Sequence, residues 1–287
     1  MMDGAPPDQL KRQGQTIRLR IDLAYDGAPF HGFARQRDAT TVQGTLEGAL
    51  FTLLRRHLNQ IDWFVCDEPS DLATVGAGRT DAGVHALAQT LHVDVPASWP
   101  MVEELDRLTL ALRKMVGPAI TIWRVQVVPD RFDARFSATA RYYRYRLCDA
   151  QAADPLWRFT TWLVGQPLDV GAMQAGATYL VGEHDWTSFC RKRMVTLASG
   201  EAVVAPMTRH LSRVEVQRVG DAGLVTIEVD GNAFCHQQVR AIAGCLVFVG
   251  KGKRPPEWVR EVLAAQDRAV NASIAPPHGL TLIGVQY

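Results

Sequence analysis

The stretch Ile17-Arg18-Leu19-Arg20-Ile21-Asp22-Leu23-Ala24-Tyr25 alternates apolar and polar residues over most of its length. Because successive side chains of a β-strand point to opposite faces, this alternation predicts a strand with one buried face. Asp26 and Gly27 follow and predict a turn. Thr40 and Gln43 have the spacing of a capping box, and apolar residues recur at helical spacing from Val42 to Leu54. The chain therefore begins with a strand and then a helix.

The rest of the chain continues this order and then repeats it. In the first half we predict strands over 73–75 and 91–95, a helix over 105–115 and a strand over 120–128. In the second half we predict a strand over 143–147, a helix over 170–180, strands over 214–219 and 224–229, a helix over 239–247, an extra helix over 257–265 and a strand over 280–285. Both halves have the order βαββαβ, which is that of ferredoxin-like folds.

The predicted fold is therefore α+β, with two ferredoxin-like halves whose antiparallel sheets flank a central active-site cleft. We predict a disordered N-terminal tail over residues 1–16, an N-terminal α/β domain over 17–129 and a C-terminal α/β domain over 130–287. The N-terminal domain carries the glycine-rich loop described below.

The composition is that of an ordinary globular protein. The chain has 287 residues, of which 47% are hydrophobic and 21% charged, with a net charge of +1. No apolar run approaches the roughly 18 residues that would span a bilayer, and the polar N-terminus has no apolar signal-peptide core. We therefore predict a cytoplasmic protein that is not bound to a membrane.

The cysteines predict neither a disulfide framework nor a structural zinc site. Their number is odd and no two have C-x-x-C spacing, which is typical of a reducing compartment. We expect Cys235, beside His236, to be a buried thiol. The cysteines are Cys66, Cys148, Cys190, Cys235 and Cys245.

Basic residues are unevenly distributed along this nearly neutral chain. Such clusters permit a basic face opposite an acidic one, although each cluster alone is more often a solvated surface. The clusters are Arg131, Arg135, Arg141, Arg144 and Arg146, then Arg191, Lys192 and Arg193, and then Lys251, Lys253 and Arg254.

A glycine-rich loop, Gly76-Ala77-Gly78-Arg79-Thr80-Asp81-Ala82-Gly83-Val84-His85, joins two predicted strands. It is not a dinucleotide-binding loop, because the third glycine of that pattern is missing and a strand follows. One interpretation is a surface turn in which Asp81 bonds to its own backbone. The other is that small residues let a ligand approach the backbone closely.

Several motifs in order resemble those of the TruA-type tRNA pseudouridine synthases. The glycine-rich loop resembles the signature loop of that family, and the resemblance extends from Ile17 to Tyr287. Phe33 stands where the family commonly has Trp, and residues 61–72 form a longer segment than usual; neither departure is expected to touch the chemistry. The other matching motifs are Tyr25-Asp26-Gly27 with Phe30-His31-Gly32-Phe33, Thr41-Val42-Gln43-Gly44-x-Leu46-Glu47, Ala134–Arg141 with Tyr143-Arg144-Tyr145, Asp185–Phe189, and Asn232-Ala233-Phe234 with Val239-Arg240.

The resemblance implies an isomerase that converts uridine to pseudouridine in the anticodon arm of tRNA, at positions 38, 39 and 40 in tRNA numbering. It further implies a homodimer that uses no cofactor. With tRNA as the implied substrate, we predict that the RNA is contacted by Arg131, Arg135, Arg141, Arg144, Arg191, Lys192 and Arg193. Asp81 takes the role of nucleophile, and Arg79 and Arg240 lie beside its carboxylate. Tyr143 takes the stacking role, with Tyr145 expected to be a core residue and Tyr142 to point the other way.

The reaction is compatible with these residue types. It breaks the N1–C1′ bond and rejoins uracil through C5 without oxidation, so it needs neither metal nor nucleotide, and a carboxylate can serve as the transient nucleophile. Small residues would admit a flipped nucleotide. Two alternatives remain at this stage, a catalytically silent RNA-binding protein and an aspartate-dependent hydrolase. Attack at C1′ and attack at C6 of uracil also remain open.

Overall fold

The computed structural model describes residues 15–61, 63–191, 194–196 and 200–287. The chain divides into two compact units, the first ending at Ala138 and the second beginning at Thr139. Both are mixed α+β units with mainly antiparallel sheets, so the predicted fold class is confirmed at this level.

The first unit has four strands and two α-helices in the described ranges 15–61 and 63–138. They are β1 (Thr16–Tyr25), α1 (Val42–Leu58), β2 (Val75–Gly76), β3 (His85–Pro96), α2 (Leu105–Val116) and β4 (Ile120–Val128). The strands lie in the order β4-β1-β3-β2, and every neighbouring pair is antiparallel. Ile17 lies opposite Val95 and Ile21 opposite Leu91, so the apolar residues of β1 and β3 share one face.

That apolar face forms the core of the first unit together with the two helices. Leu19, Ile21 and Leu23 of β1 are fully buried, as the alternation predicts. The helices add buried residues at helical spacing, namely Leu46, Leu50 and Leu54 in α1 and Leu108, Leu112 and Val116 in α2. Burying each such side chain contributes about 1.5–3 kcal/mol, which makes this layer the main source of stability in the unit.

The start of α1 differs from the predicted capping box. Thr41 is the N-cap, and its hydroxyl accepts a hydrogen bond from the Gly44 amide at 3.2 Å. Gln43 instead accepts from the Arg35 amide and donates to the Thr74 carbonyl. The Thr40–Gln43 capping box was therefore wrong, because the Gln43 side chain connects α1 to the residues before β2.

The second unit contains a larger sheet. Its elements are β5 (Ala140–Cys148), β6 (Trp162–Leu163), α3 (Val170–Thr178), β7 (Gly182–Asp185), β8 (Met194–Thr196), β9 (Ala202–Val204), β10 (Thr208–Val219), β11 (Leu224–Gly231), α4 (Gln238–Gly250), α5 (Trp258–Ala265) and β12 (Leu280–Gln286). The main antiparallel order is β12-β5-β11-β10-β7, while β6 runs parallel to β5 and β8 pairs with β9 separately.

Helix α4 lies in the core of the second unit. Nearly all of its residues are buried, as expected for a helix that is apolar on every face. It begins after Gln237, whose φ of 68° is in the left-handed region that few residues other than glycine adopt. This helix carries Arg240, one of the few polar residues along it.

The cysteines correct one prediction. Cys190 and Cys235 are disulfide-bonded across 45 residues of sequence, with Cα atoms 5.8 Å apart. Cys235 is therefore not the free buried thiol that we expected. The number and spacing of the cysteines gave no sign of this disulfide, because two residues far apart in the sequence come together only in the folded chain. Cys66, Cys148 and Cys245 are buried free thiols, and burial raises the pKa of Cys245 to about 12.

Within the described residues, no helix is both long and apolar enough to cross a membrane.

A buried ion pair holds the end of β5 to β10. Asp149 is buried and accepts two hydrogen bonds from Arg218, at 2.8 and 2.6 Å, and one from the Leu168 amide at 3.0 Å. The Arg218 hydrogen bonds, together with the Leu168 amide bond, hold the pKa of Asp149 below its usual value. The pair therefore stabilises the fold above the ordinary aspartate pKa, and this stabilisation is lost as the pH falls through the lowered pKa.

We expect Asp149→Asn to lower the free energy of unfolding at pH 7 by about 2 kcal/mol, less than for a fully buried pair because Arg218 is partly exposed. The loss should shrink towards pH 2, where the wild-type carboxylate is itself protonated. Urea unfolding at several pH values measures both effects. Asp221→Asn, in the exposed β10–β11 hairpin, is the control. An equal loss at pH 7 and pH 2 would contradict the role of this ion pair.

Candidate active site

The glycine-rich loop connects β2 to β3 and contains a tight turn. The Val84 amide donates to the Asp81 carbonyl at 3.1 Å, and Gly83 within the turn has a φ of 77°. That conformation is readily available to glycine and strained for other residues. Asp81 is half-buried at the first position of the turn, and Ala82 beside it is exposed. The structure thus places a half-buried carboxylate on a tight turn, next to the small residues Ala82 and Gly83.

Buried hydrogen bonds hold the residues just before Asp81. The Thr80 carbonyl accepts from the Phe33 amide at 3.1 Å, and the Thr80 hydroxyl lies 2.8 Å from the Tyr25 hydroxyl. Gln89 donates from Nε2 to the Gly78 carbonyl at 2.9 Å. Burial raises the pKa of Tyr25 to about 12, so its hydroxyl keeps its proton at neutral pH. These bonds attach the loop to β1 and β3 and limit its movement.

The other side of the turn is held by the residues that follow β1. The Gly27 amide donates to Nδ1 of His85 at 3.0 Å, and Oδ1 of Asp26 lies 3.1 Å from the same nitrogen. A Cβ on Gly27 would lie 2.9 Å from the Val84 nitrogen and closer still to the Val84 carbonyl. Glycine is therefore required here because the backbone of Val84 occupies that space. The Tyr25-Asp26-Gly27 motif and the glycine-rich loop thus form one packed structure.

Sequence reasoning missed three residues that support this loop. Phe33 was expected not to affect the chemistry, but its amide bonds to Thr80 and its buried ring lies 6.3 Å from that of Tyr25. Gln89 is completely buried in β3. Gln89 lies before the strand predicted over 91–95, so the periodicity gave no signal for it. Tyr25 was identified as the last residue of a strand and as part of a matching motif, but not as a support of the loop.

Arg79 shares the loop with Asp81, and its side chain is exposed. Tyr143 and Arg240 belong to the second unit. Tyr143 lies on β5 with a buried side chain, and its ring makes an edge contact with Phe234 at 4.9 Å between centroids. Phe234 comes from the Asn232-Ala233-Phe234 motif, so two of the matching motifs meet here.

Arg240 is held by the backbone before β12. Its Nε donates to the Ala275 carbonyl at 2.9 Å, and the Ala275 amide donates back to the Arg240 carbonyl at 3.1 Å. Tyr145 is fully buried, as expected for a core residue, and its hydroxyl donates to the Pro276 carbonyl at 2.7 Å. Burial raises the pKa of Tyr145, and the positive charge of Arg240 opposes that shift. Tyr142 instead donates its hydroxyl to the Gln286 side chain.

Comparison with known proteins identifies the family of this chain. A family model described as tRNA pseudouridine synthase matches residues 177–287. The tRNA pseudouridine synthase A of Frankia casuarinae is 44% identical, over 94% of this chain and 89% of its own length. The protein of the same name from Streptomyces griseus is 41% identical, over 94% of this chain and 88% of its own length. That from Allorhizobium ampelinum is 39% identical, over 94% of this chain and 95% of its own length. The chain belongs to the tRNA pseudouridine synthase A family.

The predicted RNA-contacting residues of this synthase differ in their surroundings. Arg131, Arg135 and Arg191 are exposed. Arg141 is buried and donates to the Asn232 carbonyl at 2.7 Å, and Arg144 lies 2.7 Å from Glu228 in an ion pair. Lys192 and Arg193 lie outside the described residues.

In the parts of the synthase that the structure describes, no three His, Cys, Asp or Glu side chains are grouped as metal ligands.

Proposed function

We propose that this synthase isomerises uridine to pseudouridine at positions 38, 39 and 40 of the tRNA anticodon stem-loop, with Asp81 as the nucleophile. The observation that carries the proposal is the position of Asp81 in the glycine-rich loop. Its carboxylate lies on a tight turn among small residues, and buried hydrogen bonds hold the backbone on both sides. A carboxylate held in this way can contact a flipped nucleotide without moving first.

The proposed reaction begins when the Asp81 carboxylate forms a transient bond to the nucleoside, at C1′ of the ribose or C6 of the uracil. The N1–C1′ bond breaks, the uracil turns, and C5 forms a new bond to C1′. A proton leaves C5, N1 ends with a proton, and the carboxylate is released. No electrons are gained or lost, so we propose that no cofactor takes part.

The other site residues have supporting roles in this proposal. Arg79 and Arg240 supply positive charge beside the carboxylate and attract it electrostatically. Tyr143 stacks on the uracil, and its hydroxyl relays the C5 proton by giving up its own proton as it takes the proton from C5. The edge contact with Phe234 supports this role, because it restricts the rotation of the Tyr143 ring.

We also propose that both units are ferredoxin-like halves. The strand order β4-β1-β3-β2 of the first unit and the order β12-β5-β11-β10 of the second support this assignment, since each corresponds to the fourth, first, third and second strand of a βαββαβ unit. We further propose a cytoplasmic homodimer that binds the anticodon arm through exposed basic residues, of which Arg131, Arg135 and Arg191 are examples.

Release of the C5 hydrogen provides the test. An unmodified tRNA transcript labelled with tritium at C5 of uridine should release tritium into water in the presence of EDTA and without added nucleotide. Matched transcripts with cytidine at positions 38, 39 and 40 should release none. Binding without tritium release would support the silent RNA-binding alternative. Liberation of free base or cleavage of the RNA would support the hydrolase.

A further inference from the structure

A short segment of the second unit, between β5 and α3, contains three aromatic residues, of which Phe159 is exposed and the two tryptophans are half-buried. We call residues 154–163 the aromatic segment; it contains Trp157, Phe159 and Trp162. Phe159 is 52% exposed, and the neighbouring Leu156 is 80% exposed. Single exposed apolar residues are common, whereas several within one short segment mark an interaction site.

Each ring of the aromatic segment has a cation near its face. The Arg158 guanidinium carbon lies 4.3 Å from the centre of the Phe159 ring. Arg146 from β5 lies 5.8 Å from Trp157, and Lys251 from the end of α4 lies 5.9 Å from Trp162. Three cation–ring pairs thus involve this one segment of ten residues. The fold thus brings two distant basic clusters of the sequence to one segment.

The aromatic segment is also held in place by its own hydrogen bonds. The Asp154 side chain accepts from the Leu156 amide at 2.8 Å, and the Asp154 carbonyl accepts from the Trp157 amide at 2.9 Å. Trp162 pairs with Leu147 in the sheet and packs edge-on against Tyr145. A ring that is already positioned loses little entropy on binding a ligand.

We propose that the aromatic segment is a second tRNA contact surface, in which an unpaired base stacks on Phe159 while Arg158 binds a neighbouring phosphate. This proposal rests on tRNA being the substrate. Aromatic faces beside cations are the features with which proteins hold single-stranded nucleotides. A symmetric contact with a second copy of this chain is disfavoured, because it would bring the same cations face to face. The acidic residue of the segment, Asp154, is engaged in hydrogen bonds that shape the loop.

Substitutions at Phe159 separate stacking from simple apolar contact. We expect Phe159→Ala and Phe159→Leu each to raise the Kd for an unmodified tRNA transcript about tenfold, and Phe159→Trp to keep it near the wild-type value. Leucine retains apolar bulk but has no π-face. Arg158→Gln should lower the slope of log Kd against log salt by roughly 0.7–0.9, whereas Arg158→Lys should preserve it. Filter binding over a salt series measures both quantities.

Trp123→Ala is the matched control, since Trp123 is 54% exposed on β4 of the first unit and its loss should leave the Kd unchanged. Thermal unfolding verifies that each variant is folded. Unchanged tRNA binding by folded Phe159→Ala or Phe159→Leu would overturn the proposal. A change in oligomeric mass that accounts for the weaker tRNA binding would overturn it as well. Wild-type protein that binds tRNA through Phe159 but releases no tritium would overturn the proposed function and leave this surface intact.

Discussion

Asp81→Asn should abolish pseudouridine formation while the protein stays folded and continues to bind tRNA. Asparagine keeps the size of the side chain and suits the same turn, so the loop should survive. It removes the negative charge and the nucleophilic oxygen, so we expect tritium release to fall by roughly 10⁴-fold or more. Loss of a negative charge near the RNA backbone should leave the Kd unchanged or slightly lower. Single-turnover tritium release and filter binding measure the two effects separately.

Asp38→Asn, an exposed aspartate before α1, provides the control and should retain full activity. Substantial turnover by Asp81→Asn would show that Asp81 is not the nucleophile and would favour the surface-turn interpretation of the loop. If Asp81→Asn unfolded or lost tRNA, Asp81 would instead be a structural residue, contrary to our prediction.

Gly27→Ala should have the second largest effect, although Gly27 carries no chemistry. The added methyl group would overlap the backbone of Val84, which cannot move away independently of β3. We expect the free energy of unfolding to fall by about 3 kcal/mol. Displacing the turn by even about 1 Å should reduce tritium release on the order of 100-fold. Urea unfolding and single-turnover kinetics test these two consequences.

Gly48→Ala is the matched substitution for Gly27→Ala. Gly48 lies inside α1, and a Cβ there would meet no atom within 4 Å. We expect this variant to be more stable than wild type by about 1 kcal/mol, because alanine favours the helix, and to keep its activity. Equal stability and activity of the two alanine variants would refute the proposed packing of Gly27 against Val84.

Periodicity predicted most of the elements because burial on one face is a local property of the sequence. β4 extends over Ile120–Val128 as expected, and β1 begins only one residue earlier than predicted. β3 begins at His85, six residues before the predicted strand at 91. Its first half contains Gln89 and Thr90, which are buried through hydrogen bonds rather than apolar contact. Polar residues satisfied in this way interrupt the alternation on which the prediction depended.

The sequence predicted the chemistry of the candidate site, but it did not predict the contacts that hold the glycine-rich loop in place. The glycine-rich loop indicated a close approach around Asp81, and the motifs indicated the family. The contacts of Tyr25, Phe33 and Gln89 with this loop join residues separated by 11 to 55 positions. Periodicity within a few consecutive residues contains no information about contacts between residues this far apart in the sequence.

By itself, the sequence determined the two successive βαββαβ patterns, the class of fold and the residue types of the proposed reaction, but not the short strands β6 to β9. These depend on alternation, helical spacing and motifs that extend over a few residues each. Only the tertiary structure decided that Cys190 bonds to Cys235, that Gly27 packs on Val84, and that Arg146 and Lys251 lie over tryptophans of one segment. The physical reason is that such contacts form when the whole chain closes around its core, and their partners are selected by the packing of distant elements.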